Sequence, residues 1–412
     1  MCIRDRTAPA TRSLPAQAPG RLADLQDSAA MHGRRVAAAA LLVGLALASL
    51  GGAHYYLARR LVLDPDWGEP LRTLALAAIA VLGVGSILQP ALERALPAPW
   101  FRLISWPFLL WMGFFWIGFN ALWIGDVLRG GAQLLGFGAL APAPHARLLG
   151  ACIGVLAALG LVGGLRFPSV KRVEHRLARW PAALDELRVV QISDIHIGPI
   201  LGRGFAERLV ARVNGLKPDL VAITGDLVDG RVDQLRDDVL PFGDLRAPQG
   251  VFFVTGNHDI YSGDEAWVAR IRELGIVPLR NTRVRVGEAG SRGFWLAGVD
   301  DHRGDLARGS SEDLPAALEG WDAASPLLLL AHDPSTFKRS HRRGVDLQLS
   351  GHTHGGQIWP FRWMVRLVIP WVAGAYQAGD SRLYVSRGTG FWGPPMRLLA
   401  PAEITEHVLR PA

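Results

Sequence analysis

Five short apolar runs in the second half of the sequence each lead into side chains able to bind a metal ion. They read LRVVQIS before Asp194 and His196, LVAITG before Asp226, VFFVTG before Asn257, His258 and Asp259, LLLLA before His332, and VDLQLSG before His352 and His354. One such match would carry little, because strands often end in Asp. Five in succession, offering carboxylate and amide oxygens and imidazoles but no thiolate, describe one site at a sheet edge. We read it as a site for two divalent metal ions. Hard oxygens with neutral imidazole suit manganese, iron or zinc. A carboxylate shared between two cations offsets part of their repulsion and holds them about 3.5–4 Å apart, the separation found in two-metal hydrolytic sites. Gly225, Gly256 and Gly351 each precede a ligand and allow the close backbone approach that a bulkier residue would block.

From about residue 187 the sequence alternates short Val-, Ile- and Leu-rich runs with amphipathic stretches over 204–215 and 232–245. Continuous apolar runs of this length suit strands buried on both faces. Strand, helix, strand repeated in this way predicts parallel crossover units of an α/β fold. In such sheets ligands bind beyond the carboxyl ends of the strands, where all five motifs fall. After 280 the pattern shifts to shorter strands (283–287, 293–299, 326–331, 345–350, 383–386 and 403–408) and a helix near 313–319, which predicts a second sheet packed on the first.

The series D-x-H, G-D, G-N-H-D, H and G-H-x-H resembles the calcineurin-like metallophosphoesterase superfamily. The longer strings GDLVDG, GNHDIYSG, AGVDDH, AHDP, SGHTHGGQIWP and SRGTGFWGPPMR resemble its membrane-associated bacterial branch, transmembrane metallophosphoesterases related to UDP-2,3-diacylglucosamine hydrolases. The resemblance covers about 187–408 and implies a four-layer α/β/β/α sandwich. It implies that Asp194, His196 and His354 hold one metal, that Asn257, His332 and His352 hold the other, and that Asp226 bridges them. A hydroxide between the metals would attack phosphorus in line, and His258 would protonate the leaving oxygen or stabilise its charge. Asp229 is expected to orient His258, with Asp259 as the competing carboxylate. Asp301, in GVDDH, lines the substrate site or caps a turn. Arg387 and Arg397 hold a phosphate or a headgroup, or are surface and helix-facing arginines.

The first half has a different character. Half of all residues are apolar and the formal charge is +7. Only Lys171, Lys217 and Lys338 are lysines among 44 basic residues, and the arginines are scattered, so no nucleic-acid surface is predicted. Cys2 and Cys152 give neither a disulfide framework nor a zinc-finger spacing. Residues 1–30 lack periodicity and read as disordered or non-native, with Met31 an alternative start. Residues 31–166 then hold four apolar segments, 36–58, 71–92, 103–128 and 148–165, each near the ~20 residues that cross a bilayer. With the N-terminus inside, the cytoplasmic flanks carry Arg34, Arg35, Arg94, Arg102, Arg166, Lys171, Arg172, Arg176 and Arg179; the opposite flanks carry Arg59, Arg60, Arg72, Arg129 and Arg147. The bias places the domain over 187–412 on the cytoplasmic face of a bacterial inner membrane.

Residues 167–186 read as a juxtamembrane linker, lying against anionic headgroups or forming a solvated helix. The stretch 357–373, with Trp359, Phe361, Trp363 and Trp371 but only Arg362 and Arg366 as charges, predicts a hydrophobic lip beside the metals, or else an apolar loop filling a gap. Together these features predict a membrane-anchored phosphoesterase with a phosphorylated lipid or lipid precursor as substrate. The alternatives are an anchored phosphatase or nucleotide phosphodiesterase with a soluble substrate, or a non-catalytic metal-binding sensor.

Overall fold

The computed structural model describes residues 20–65, 67–96, 98–138, 141–287, 293–302 and 311–412, with the backbone alone for 20–35, 94, 98 and 99. The expectation for residues 1–19 lies outside these. The chain divides into two units, one up to Tyr56 and one from Leu57 onward.

Four long helices open the described chain: α1 (Gly20–Ala58), α2 (Leu71–Ala95), α3 (Ala98–Leu134) and α4 (Pro142–Leu165). Helix α1 includes residues 20–30, which the sequence pattern had left without structure. Among the described residues four helices are long and apolar enough to cross a membrane, with apolar stretches Val36–Leu63, Leu71–Glu93, Trp100–Leu134 and Pro142–Leu165.

The remainder is built on two six-stranded sheets. The first runs β1 (Ser169–Leu177), β12 (Glu403–Pro411), β2 (Leu187–Ile192), β3 (Leu220–Thr224), β4 (Val251–Val254), β5 (Val277–Pro278). Strands β2 to β5 are mutually parallel, linked through α5 (Arg203–Gly215), α6 (Val232–Leu235), α7 (Asn257–Tyr261) and α8 (Asp264–Glu273). The second sheet runs β10 (Gly374–Ala378), β11 (Ser381–Val385), β9 (Leu347–Ser350), β8 (Leu327–Leu330), β7 (Gly293–Gly298), β6 (Thr282–Gly287), with β7, β8, β9 and β11 parallel. One core, including Val190, Ile223, Leu209 and Trp267, lies between the first sheet and its helices. A second, including Val189, Phe252, Leu328 and Leu349, fills the space between the sheets, and a third, including Leu329, Leu314 and Ala317, covers the outer face. The uninterrupted burial of β3, β4, β8 and β9 follows from being covered on both faces.

The expected linker is corrected. Residues 169–177 form β1, paired in register with β12 from Ser169 opposite Glu403 to Leu177 opposite Pro411. Its alternating Val173, His175 and Leu177 pack on one sheet face while the charged Arg172, Glu174 and Arg176 between them face out, a period that a helix would not satisfy. His175 is buried with its Nε2 2.9 Å from His407 Nδ1, and His407 Nε2 lies 3.0 Å from Gln191 Oε1. Burial pushes His175 down to about 4.

Helices α3 and α4 are packed directly onto this domain. Ile117 of α3 and Ala157 of α4 share a cluster with Ile358 and Met396. Ala157 lies roughly two turns, or about 12 Å, before the end of α4. The backbone N–H of Arg397 donates to Gly160 O at 2.8 Å. Gly164 permits this approach, since a Cβ there would stand 2.3 Å from Pro395 O. Gly164→Ala should therefore destabilise the detergent-solubilised protein by about 1–3 kcal/mol through overpacking. Gly154→Ala, where a Cβ meets open space, should leave the melting temperature unchanged.

Candidate metal centre

The carboxyl ends of the parallel strands in both sheets converge. β2 delivers Asp194 and His196, β3 delivers Asp226 and Asp229, and β4 delivers Asn257 and His258. From the second sheet β8 delivers His332, and β9 delivers His352 and His354. Two groups of potential ligands result, Asp194 with His196 and His354, and Asp226 with His332 and His352. Asp226 lies between them: its Oδ2 is 3.1 Å from His332 Nε2 and 3.8 Å from His196 Nε2.

Ring nitrogens crowd together at this edge, and two buried acceptors beside them are left over. His196 Nε2 stands 3.0 Å from His354 Nε2, and His332 Nε2 stands 3.3 Å from His352 Nδ1. Asp194 Oδ2 and Asn257 Oδ1 are buried without a hydrogen-bond partner among the described residues. Orphaned acceptors of this kind call for a donor or a cation. The far sides of the rings fit the second option. His332 Nδ1–H donates to Thr224 O at 2.8 Å and His196 Nδ1–H to Asp229 Oδ1 at 2.8 Å, which leaves each Nε2 lone pair for a metal. Five of these residues, Asp194, His196, Asp226, His352 and His354, have φ between 50° and 71°, a left-handed conformation that is costly outside glycine and gathers at functional sites. Gly351 is required, because a Cβ there would stand 2.2 Å from Asp194 Oδ2; at Gly256 it would stand 2.2 Å from Asp226 Oδ1. The donor set, all oxygen and imidazole, suits divalent metal ions.

His258 lies beside the second group, its backbone N–H donating to Asp226 Oδ1 at 2.8 Å. Its Nδ1 is 2.7 Å from Asp229 Oδ1, so one carboxylate oxygen serves both His258 and His196. Burial alone would lower His258, but the carboxylates of Asp229 and Asp226 outweigh it and hold the ring at about 9. Burial would raise Asp226 and Asp229; the surrounding histidines instead hold both well below the usual carboxylate range. Burial, with His196 and Arg397 nearby, keeps His354 low.

The comparison of Asp229 with Asp259 comes out clearly in the geometry. Asp259 accepts backbone N–H bonds from Leu227, Val228 and Gly256 at 2.9, 3.2 and 2.8 Å, and so fixes the β3 and β4 loops. Burial, with Asp226 nearby, raises it to about 7.

Residues 187–356 match the family model of calcineurin-like phosphoesterases. The chain is 33% identical over 222 residues to an uncharacterized metallophosphoesterase of Aquifex aeolicus, covering 53% of this chain and 83% of that one. It is 31% identical over 271 residues to the uncharacterized metallophosphoesterase YkuE of Bacillus subtilis, covering 62% and 92%. The chain belongs to the calcineurin-like metallophosphoesterase family. It is also 42% identical over 269 residues to a transmembrane protein with metallophosphoesterase domain from Bos taurus, covering 63% of this chain and 61% of that one. The chain thus spans about three-fifths of the length of the curated animal relatives it matches.

Within this family setting, other expected residues take distinct places. Asp301 is buried and grouped with Asp333 and His352. Arg387 Nη1 is 3.4 Å from Glu403 Oε2. Trp359 is half-exposed, its backbone N–H donating to Leu398 O at 3.1 Å. Arg397 is fully enclosed; its guanidinium donates to Gly390 O and Ala400 O and lies 3.2 Å from His354 Nδ1. Sequence reasoning missed Asp333, whose Oδ2 is 3.7 Å from His352 Nε2, although it directly follows His332. It also missed Trp392, whose ring centroid is 5.9 Å from that of His258.

Asp259→Asn should cost stability by about 1–3 kcal/mol, since the amide replaces acceptors that three buried N–H groups need. Denaturant unfolding of the variant checks this.

Proposed function

We propose that the protein is a membrane-anchored phosphoesterase using two divalent cations on a phosphodiester or pyrophosphate of a lipid or lipid-precursor headgroup. Asp194, His196 and His354 would hold one cation, Asn257, His332 and His352 the other, and Asp226 both. The cations would lower the pKa of bound water and neutralise charge on the phosphate. Asp229, by holding Nδ1–H of His258, frees its Nε2 to meet the leaving oxygen as general acid. The same carboxylate, through His196, is a positioning group for the first cation. Asp301 and Arg387 are proposed to flank the substrate.

The observation that carries the lipid assignment is the exposed helix Phe361–Val368, seven residues after His354. Trp363 and Leu367, and likewise Met364 and Val368, stand one turn apart and are 58%, 88%, 52% and 76% exposed. Arg362 and Arg366 share the turn spacing that places them together. Phe361 packs edge-on against Trp116 of α3 with centroids 5.4 Å apart, and Trp116 Nε1–H donates to Ile358 O at 3.2 Å. The amphipathic helix therefore begins against a candidate spanning helix, where an apolar face with arginines suits a bilayer interface. Trp371 is not part of it; it packs edge-on against Phe337, with centroids 5.6 Å apart. The domain is proposed to face the cytoplasm, on the basis of the flanking arginines.

Asp226→Asn should lose both bound metal, read by elemental analysis, and hydrolysis of a chromogenic diester; intact activity would remove the two-metal assignment. His258→Ala should keep metal but lower kcat about 10²–10⁴-fold, whereas Asp229→Asn should also weaken metal affinity about 10–100-fold.

Trp363→Ser with Leu367→Ser should slow hydrolysis of vesicle-embedded phosphodiester lipids about tenfold, from lost apolar contact with the bilayer. Activity on the soluble diester should be unchanged. Equal loss on both substrates, or none on either, would favour the soluble-substrate alternative.

A further inference from the structure

A second polar cavity, of about 630 Å³, lies where α3 and α4 meet the domain. Its cationic lining is Arg102 near the start of α3, Arg166 just past the end of α4, and Arg203 and Arg208 of α5, against one acidic residue, Asp238. Arg102 Nη2 and Asp238 Oδ2 are 2.5 Å apart and neutralise each other. Arg203 pairs with Glu207 at 2.9 Å, with both side chains 55% exposed, an arrangement that contributes little. Arg166 and Arg208 have no carboxylate partner among the described residues. The guanidinium of Arg208 sits 5.3 Å from the ring centroid of Phe167 and donates to Gly204 O. Arg166 and Arg208 line the same cavity, and each guanidinium offers the planar fork of donors that suits a phosphate.

The apolar lining has the complementary character. Trp106 and Leu165 come from the membrane helices, and Phe205 and Phe391 from the domain. Tryptophan with arginine at the end of a spanning helix is the composition of a headgroup layer. Part of the wall is the segment Thr389–Phe391. The Thr389 and Gly390 N–H groups donate to Ser193 O and Asp194 O at 2.7 and 2.9 Å, and the next residue, Trp392, faces His258. This segment therefore separates the cavity from the metal centre.

We propose that this cavity binds the headgroup of an anionic phospholipid of the surrounding bilayer as a resident ligand that is not hydrolysed. The anion answers the uncompensated charge of Arg166 and Arg208, and the acyl chains leave along Trp106 and Leu165. The site is independent of which phosphate the metal centre receives.

Native mass spectrometry of the full chain released from nanodiscs of phosphatidylcholine and phosphatidylglycerol in equal parts tests this. Phosphatidylglycerol should be retained in preference. Arg166→Gln with Arg208→Gln should lower its retention by about tenfold or more, as loss of charge-assisted phosphate contacts requires. Gly204→Phe should do the same without changing charge, because a Cβ at Gly204 meets open space within the cavity lining. Arg343→Gln, an exposed arginine of the other half of the domain, should retain the lipid, and so should Asp226→Asn. Equal retention of the two lipids by the unsubstituted protein would overturn the proposal. So would a loss in Arg343→Gln as large as in the double variant, which would mean diffuse surface charge. Loss in Asp226→Asn would place the lipid at the metal centre instead and would also overturn it.

Discussion

The arrangement around Asp226 is the constraint from which the rest of the site follows. A buried carboxylate stands between two imidazole groups, and around it pairs of ring nitrogens lie only 3.0 and 3.3 Å apart. Each left-handed residue in that shell costs about 1 kcal/mol or more, and each unsatisfied buried acceptor about 1–3 kcal/mol. Against a typical net stability of about 5–15 kcal/mol, such a shell is a heavy load for one domain. Cations held between the two groups would offset both terms at once, by satisfying the lone pairs and by fixing the strained backbone, and would couple metal binding to folding.

The sheets explain how so many ligands reach one place. Each parallel strand ends on the same edge, and the two sheets face each other across a shared apolar core. A one-residue change of register in any strand would turn its ligand to the opposite face. The hydrogen-bonded ladders are thus what fixes which side chains reach this edge. The backbone bonds Asp194 N to Gly225 O and Gly351 N to His332 O, at 3.0 and 2.9 Å, tie one ligand loop to the next and extend this rigidity beyond the strands.

Much of this was legible in the sequence, because apolar runs ending in ligands are a local pattern. Strands β2, β3, β4, β8 and β9, the helix α5 and the four apolar helices all follow from periodicity and composition. Strand β1 was not legible. Its pairing partner β12 is more than 200 residues away, and the charges of KRVEHR outweigh its alternation when read locally. Whether Asp229 or Asp259 meets His258 was equally out of reach, since both lie within reach along the chain and only the fold of α7 separates them. The aromatic stretch was half legible. Its composition announced an amphipathic surface, but the inward turn of Trp371 onto Phe337 depends on β10, which no local pattern marks.

Arg397 shows how the long apolar helices and the candidate metal centre share one structural element. Its backbone is bonded to Gly160 of α4, and its guanidinium lies behind His354. A buried cation beside a metal ligand looks unfavourable, and burial does lower this guanidinium to about 10. Yet its N–H groups are taken by the carbonyls of Gly390 and Ala400, so the group is solvated by the protein. Its charge acts on His354 in the same direction as burial, against the protonated ring. A histidine must be neutral to bind a metal, and the Arg397 charge is in turn offset by the carboxylates of Asp194 and Glu403. The arginine therefore joins the ring of His354 to α4, and its charge, like burial, disfavours protonation of that ring.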